Sequence, residues 1–226
     1  MSDKPVLTIA LSKGRILEQT LPLLAFAGLL PQEDVQKTRK LMVDGPDDWA
    51  GSKIRFLIIR AADVCTYVEK GAADLGISGR DLLMELRPHV YEPLDLKIGK
   101  CRLSICAPKE TIEAERSKPA VGGRIRIATK YDYLTEQYYQ QQGIQADIIH
   151  LYGSMELAPL VGLADRIVDV VETGNTLKAN GLQEEVKLFD ISSRLIANPA
   201  SFVTKKRQVQ AVIEKMRLAV QGMENS

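Results

Sequence analysis

The chain has 226 residues, 45% of them apolar, and a formal net charge of +1. That length allows one large domain or two small ones. Near-neutral charge excludes a bulk field that would draw the whole protein to nucleic acid or membrane, and no apolar run approaches the ~20 residues of a membrane span.

Met1 to Pro5 carries no hydrophobic signal region, and Val6 to Leu11 reads as a first buried strand. Ser12-Lys13-Gly14-Arg15 follows, then an apolar-periodic helix from Ile16 to about Ala27, stopped by Gly28. Lys13 and Arg15 therefore stand at a strand-to-helix junction, where ligands of α/β folds collect. The glycine between them lets a ligand approach the backbone, which points to anion binding. Gln36 to Val43 is a second strand candidate that carries Lys37, Arg39 and Lys40. Asp44 to Asp48 is a turn, and Lys53 to Ile59 is a strong strand. If the sheet brings Arg39 beside Lys13 and Arg15, three cations face one polyanion.

Ala61 to Lys70 reads as a helix. Asp74 to Asp81 reads as strand, glycine turn and helix start. Val90 to Leu96 and Cys101 to Ala107 are further strands, and Pro108 to Gly123 is a linker or exposed helix. Arg124 to Ala128 is a strand, Leu134 to Gln142 a helix and Ala146 to Leu151 another strand. Tyr152-Gly153-Ser154 turns into a helix from Met155 to Leu163 with Ser154 as N-cap. Glu156 lies in its first turn, either as a helix-dipole charge or as a ligand. Val186 to Ala197 is extended. Lys205 to Val220 is a terminal helix with apolar spacing at Val209, Val212, Ile213, Met216 and Val220.

The stretch from Asp165 to Leu177 organises the rest. Ile167 to Val171 is a β-branched apolar run, read as a buried parallel strand, broken by one acid, Asp169. A buried carboxylate needs a partner. Thr173-Gly174-Asn175-Thr176 comes next. Gly174 can take a positive φ, and Asn175 tolerates it better than most residues. Two hydroxyls and several main-chain N–H groups can then point into one concavity ahead of a helix that starts near Leu177. This is a cradle for a phosphate, with an acid before it that can hold sugar hydroxyls or a metal-bound group.

Gly71-Ala72-Ala73-Asp74 is echoed 91 positions later by Gly162-Leu163-Ala164-Asp165. Each leads into a short strand, a polar glycine-containing loop and a helix. The echo suggests two similarly wound lobes. Strands alternating with helices give an α/β fold with mainly parallel sheets. The simplest division puts residues 1–100 and 181–226 in lobe I, with residues 101–180 inserted as lobe II. Lobes joined by paired crossings can hinge around a ligand in the cleft between them. Cys65, Cys101 and Cys106, odd in number and without metal spacing, read as reduced thiols of a cytoplasmic protein. His89 and His150, neither beside a second ligand in sequence, offer no zinc site and no triad.

The 165–177 stretch resembles the phosphoribosyl-pyrophosphate loop of phosphoribosyltransferases. That loop commonly carries two adjacent acids, and here Val168 replaces the first. Leu11 to Arg15, Asp74 to Asp81, Leu151 to Pro159, Asp165 to Leu177 and Ser192 to Leu195 together resemble the ATP phosphoribosyltransferase family in its short form. The resemblance implies periplasmic-binding-protein-like topology. It implies transfer of the phosphoribosyl group of phosphoribosyl pyrophosphate to N1 of ATP with Mg²⁺, the first step of histidine biosynthesis. It implies a regulatory subunit resembling a histidyl-tRNA synthetase, and a homodimer within a hetero-oligomer.

Carried onto this sequence, the resemblance assigns Thr173, Gly174, Asn175 and Thr176 to the 5′-phosphate and Asp169 to the ribose hydroxyls. Glu156 and Asp165 join them as further phosphoribosyl pyrophosphate ligands. Lys13, Arg15 and Arg39 meet the diphosphate or the ATP phosphates, with Ser78 and Gly79 also on ATP. No residue is assigned as a direct metal ligand. A salvage-type transferase acting on a free base, and a non-catalytic small-molecule binder or sensor, are the rival readings.

Overall fold

The computed structural model describes residues 4–117 and 124–224. By contacts the chain forms two units, residues 1–99 with 192–226, and residues 100–191. The second boundary thus falls at 191/192 rather than at 180/181.

The first unit begins with β1 (Val6–Ser12), α1 (Arg15–Phe26), β2 (Met42–Asp44), β3 (Lys53–Ile59) and α2 (Ala61–Glu69). It continues with β4 (Leu75–Gly79), α3 (Arg80–Leu86) and β5 (Tyr91–Asp95). The second unit contains β6 (Cys101–Pro108), α4 (Lys109–Ser117), β7 (Ile125–Thr129), α5 (Asp132–Gln141) and β8 (Ala146–His150). After these come α6 (Leu157–Leu160), β9 (Arg166–Val171), α7 (Asn175–Ala179) and β10 (Leu182–Ile191). The chain then returns to the first unit as β11 (Ser193–Ala197), α8 (Pro199–Thr204) and α9 (Lys206–Glu224). Gly122 and Gly123, expected to end a linker, lie outside the described residues.

The first sheet runs β2-β3-β1-β4-β11-β5 and the second β10-β6-β9-β7-β8. In the first, β3, β1 and β4 are parallel; in the second, β9, β7 and β8 are. The remaining pairings are antiparallel. The expectation of mainly parallel sheets is therefore corrected to mixed sheets. Parallel neighbours need a crossover element, which the helices supply for β1, β3 and β4 and for β7, β8 and β9. No helix separates β5 from β6 or β10 from β11, so nothing in those connections imposes parallel pairing.

Two other expectations change. Gln36 to Lys40 is not strand: the Asp34 carboxylate accepts the Gln36 N–H at 3.0 Å, and its carbonyl accepts from Lys37 and Thr38. This aspartate-nucleated turn delays the strand to Met42. Ser154 is not an N-cap but a left-handed residue at φ 54°, and the helix after it is only Leu157–Leu160. In contrast, α9 buries Val209, Val212, Ile213, Met216 and Val220, the apolar stripe read from its spacing.

Candidate functional site

In the first unit, three parallel strands deliver their C-terminal ends to one edge of the sheet. The turn after β1 places Lys13 there and makes Arg15 the first residue of α1. Gly14, between them, sits at φ 100° and ψ −162°, a region essentially restricted to glycine. A Cβ there would meet nothing within 4 Å, so conformation rather than crowding demands the glycine, and the backbone stays approachable. Lys13 Nζ donates to the Thr38 carbonyl at 2.6 Å. Arg39, next to Thr38 in sequence, is exposed, and its segment is not a strand. A concavity of about 400 Å³ opens here, lined by Lys13, Leu41, Ile58, Ile59, Arg60 and Ala61.

Ser78 and Gly79 close β4 at the same edge but present less to a ligand. Ser78 is 3% exposed, with its hydroxyl 3.3 Å from Cys65 Sγ. The carboxylate of Asp81 folds back over Gly79, so that a Cβ there would lie 2.2 Å from Asp81 Oδ1.

In the second unit, β9 is the central strand, and its parallel neighbour β7 ends beside it. Asp169 lies two residues before the end of β9, directly opposite Ser104 of β6. Its Oδ1 accepts the Val170 N–H at 2.8 Å and lies 3.8 Å from Lys130 Nζ. Lys130 follows β7 and stands 4.9 Å over the Tyr131 ring. The Ser104 hydroxyl is buried and makes no hydrogen bond. Beyond β9, Thr173 Oγ1 accepts the Asn175 N–H at 3.3 Å, and Gly174 takes φ 77° as the residue before α7. Leu177 is buried in the apolar cluster beneath and anchors the short helix. Asn180 closes it by donating from its main chain and side chain to the Thr176 carbonyl.

Burial pushes the Cys106 thiol up to about 12, and the charges of Glu184, Asp169 and Glu156 add to the shift. Asp165 is elsewhere. It precedes the six-residue β9 (Arg166–Val171), whereas the 173–176 turn follows it, which separates them by about 20 Å at ~3.3 Å per residue. Its carboxylate is occupied by the Arg126 guanidinium, at 2.8 Å to Nη2, and by the Arg126 N–H at 2.9 Å. The Arg126 side-chain bonds hold the Asp165 carboxyl below its usual range. Asp165 is therefore removed from the set around the turn.

Arg60, Lys130 and Arg102 were not singled out by the sequence. Arg60 and Lys130 each follow an apolar strand and precede a helix, the same signal that exposed Lys13. Arg102, on β6, donates Nη1 to the Glu172 carbonyl at 3.0 Å, a contact no sequence pattern announces.

A family model described as HisG, ATP phosphoribosyltransferase, matches residues 60–218. The chain is 52% identical over 222 residues to the ATP phosphoribosyltransferase of Pseudomonas syringae pv. syringae (strain B728a), covering 98% of this chain and all of that one. Among solved structures it is similar to the ATP phosphoribosyl transferase (HisG:HisZ) complex from Thermotoga maritima. There the TM-score is 0.80 at 32% identity, with 96% of this chain and 99% of that chain covered. A putative L-cystine ABC transporter from Listeria monocytogenes shares the fold alone, at TM-score 0.58 and 11% identity over 97% of this chain and 90% of that one. By family model, by near-full-length identity and by fold, the chain belongs to the ATP phosphoribosyltransferase family.

Proposed function

We propose that the chain performs its family's reaction with a phosphoribosyl cradle on the second unit and a set of phosphate-binding cations on the first. The reaction joins N1 of ATP to the anomeric carbon of phosphoribosyl pyrophosphate and releases pyrophosphate, opening histidine biosynthesis. The observation that carries the assignment of roles is the turn after β9. Thr173, Gly174, Asn175 and Thr176 gather hydroxyls and main-chain N–H groups around a left-handed glycine, just beyond the half-buried Asp169.

In this reading the turn takes the 5′-phosphate, and Asp169 holds the ribose hydroxyls and favours positive charge developing on the ring. Glu156 assists on the sugar side. Adenine N1 already has a lone pair, so no side chain need become a covalent nucleophile. Catalysis comes from positioning and from charge stabilisation on the leaving group. Lys13, Arg15 and Arg39 meet phosphate oxygens, where a planar guanidinium binds two at once. Arg60, beside Lys13 in the same concavity, joins them. Ser78 and Gly79 shape the β4–α3 turn on the nucleotide side.

Among the described residues, no three His, Cys, Asp or Glu side chains gather to hold a metal ion. The reaction is read as using Mg²⁺ carried on substrate phosphates and water. When bound, it neutralises charge on the departing diphosphate. No helix among the described residues is long and apolar enough to cross a membrane. Cys65, Cys101 and Cys106 are free thiols, consistent with a reducing cytoplasm. The relative from Thermotoga maritima is a HisG:HisZ complex, and this chain is proposed to assemble with a regulatory subunit of the same kind.

Calorimetric titration of phosphoribosyl pyrophosphate tests the cradle. Thr176→Val should weaken binding on the order of tenfold, the scale of a lost hydrogen bond to a charged group. Unchanged affinity would remove the 5′-phosphate from this turn.

A further inference from the structure

Arg102 lies on β6 opposite Val171, the last residue of β9. Glu184 of β10 holds its guanidinium: Nε lies 3.0 and 2.8 Å from the two carboxylate oxygens, and Nη2 lies 2.6 Å from Oε2. The remaining nitrogen, Nη1, donates to the Glu172 carbonyl at 3.0 Å. Glu172 is the first residue past β9. The guanidinium thus spends its third nitrogen on the peptide that opens the 173–176 turn. A peptide unit is planar and trans, so a carbonyl aimed at Arg102 turns the Thr173 N–H to the opposite side. That N–H is the first main-chain donor of the turn.

We propose that Arg102, locked by Glu184, is a positioning residue that presets the Glu172–Thr173 peptide and with it the first donor of the phosphate cradle. The proposal rests on the reading of the 173–176 turn as the phosphoribosyl site. Only a planar fork can hold a carboxylate and a carbonyl at fixed angles together, and a lysine ammonium cannot. β6 and β10 share a ladder from Leu182 opposite Pro108 to Ile191 opposite Cys101, with irregularities between Glu184 and Val186 and between Lys187 and Phe189. The hydrogen bonds Arg102 donates to Glu184 push its pKa up, so the fork stays charged.

The test uses the whole chain with Arg102→Lys, Glu184→Gln and the double variant. Affinity for phosphoribosyl pyrophosphate is read by calorimetry, KM for ATP by kinetics and stability by urea denaturation. Arg102→Lys should weaken phosphoribosyl pyrophosphate binding about tenfold while KM for ATP stays within about twofold, the scale of one charge-assisted hydrogen bond. Glu184→Gln, which keeps an acceptor for Nε, should fall between the wild type and Arg102→Lys. In the double variant the Glu184 effect should vanish, because nothing is left for it to orient. Wild-type affinity in Arg102→Lys would overturn the proposal. So would equal losses for both substrates that track lost stability. Thr176→Val, run in parallel, keeps the two ideas apart. If it weakens binding and Arg102→Lys does not, the positioning role alone fails. If neither variant weakens binding, the reading of the turn fails with it.

Discussion

Asp165 and Arg126 exchange two hydrogen bonds across the start of parallel strands: Asp165 N donates to the Arg126 carbonyl at 2.8 Å, and Asp165 Oδ2 accepts the Arg126 N–H at 2.9 Å. Asp74 does the same with Thr8, at 2.9 and 2.8 Å. Both aspartates follow a left-handed glycine, Gly71 at φ 75° and Gly162 at φ 71°. Both also follow a buried alanine, Ala73 and Ala164. The sequence echo is therefore one structural device used twice. A carboxylate completes the ladder where a parallel strand begins, which satisfies a main-chain N–H that would otherwise lack a partner.

Asp74 should be the more costly of the two to remove. Its side chain is 6% exposed and also accepts from Ser201 Oγ at 2.6 Å and Lys205 Nζ at 2.8 Å. Asp74→Ala should cost about 3 kcal/mol of unfolding free energy, the scale of breaking a buried pair. Asp165→Ala should cost less, because its pair with Arg126 is partly exposed and screened. It should also leave KM for phosphoribosyl pyrophosphate unchanged. Urea denaturation and steady-state kinetics check both statements, and a selective rise in that KM would return Asp165 to the site.

The Asp165 carboxyl has a lowered pKa, held down first by the Arg126 side-chain hydrogen bonds. A group depressed in the folded state contributes stability above its unfolded pKa of 3.8 and loses that contribution as pH falls through the folded value. Acid titration of stability should therefore show a loss below the unfolded pKa. Asp165→Asn should flatten part of that slope, as measured by thermal melts from neutral to strongly acidic pH.

Arg15→Ala should lower kcat/KM by the equivalent of about 2–4 kcal/mol, the scale of one preorganised donor at a developing charge. Arg39→Ala should act in the same direction with unchanged stability, because Arg39 is exposed. Steady-state kinetics with both substrates varied measures the loss. An unchanged kcat/KM would take Arg15 out of the reaction.

Thiol labelling should distinguish the cysteines. Cys65 and Cys106 are buried, and burial raises both their pKa values, that of Cys106 to about 12. Reactivity follows the thiolate. Iodoacetamide at neutral pH should therefore modify Cys101, the partly exposed one, and spare the other two until the chain unfolds. Peptide mass mapping reads the outcome.

Much of the fold was legible because it rests on patterns that survive without tertiary context. The apolar runs of Val6 to Leu11 and Lys53 to Ile59 became β1 and β3, and the stripe on α9 faces the core. The misreadings have local causes. Gln36 to Val43 looked extended, but Asp34 captures the Gln36 N–H and winds the chain into a turn. Ser154 looked like an N-cap, but it adopts a left-handed conformation and the helix after it shrinks to Leu157–Leu160. The antiparallel pairings of β6, β10 and β11 depend on returns of the chain that no periodicity encodes. At the candidate site, residues of the main-chain turns could be read, since glycine and threonine announce them. The side chains that steer those turns from other strands, Arg102 above all, could not.

Formation of N1-phosphoribosyl-ATP tests the account most directly. The pure chain would be mixed with ATP, phosphoribosyl pyrophosphate and Mg²⁺, alone and with a HisZ-type partner, while the adenine absorbance is followed. The expected result is the spectral change of N1 substitution, dependent on both substrates and abolished by pyrophosphate in excess. Product from free adenine but none from ATP, or no product even with the partner present, would contradict it.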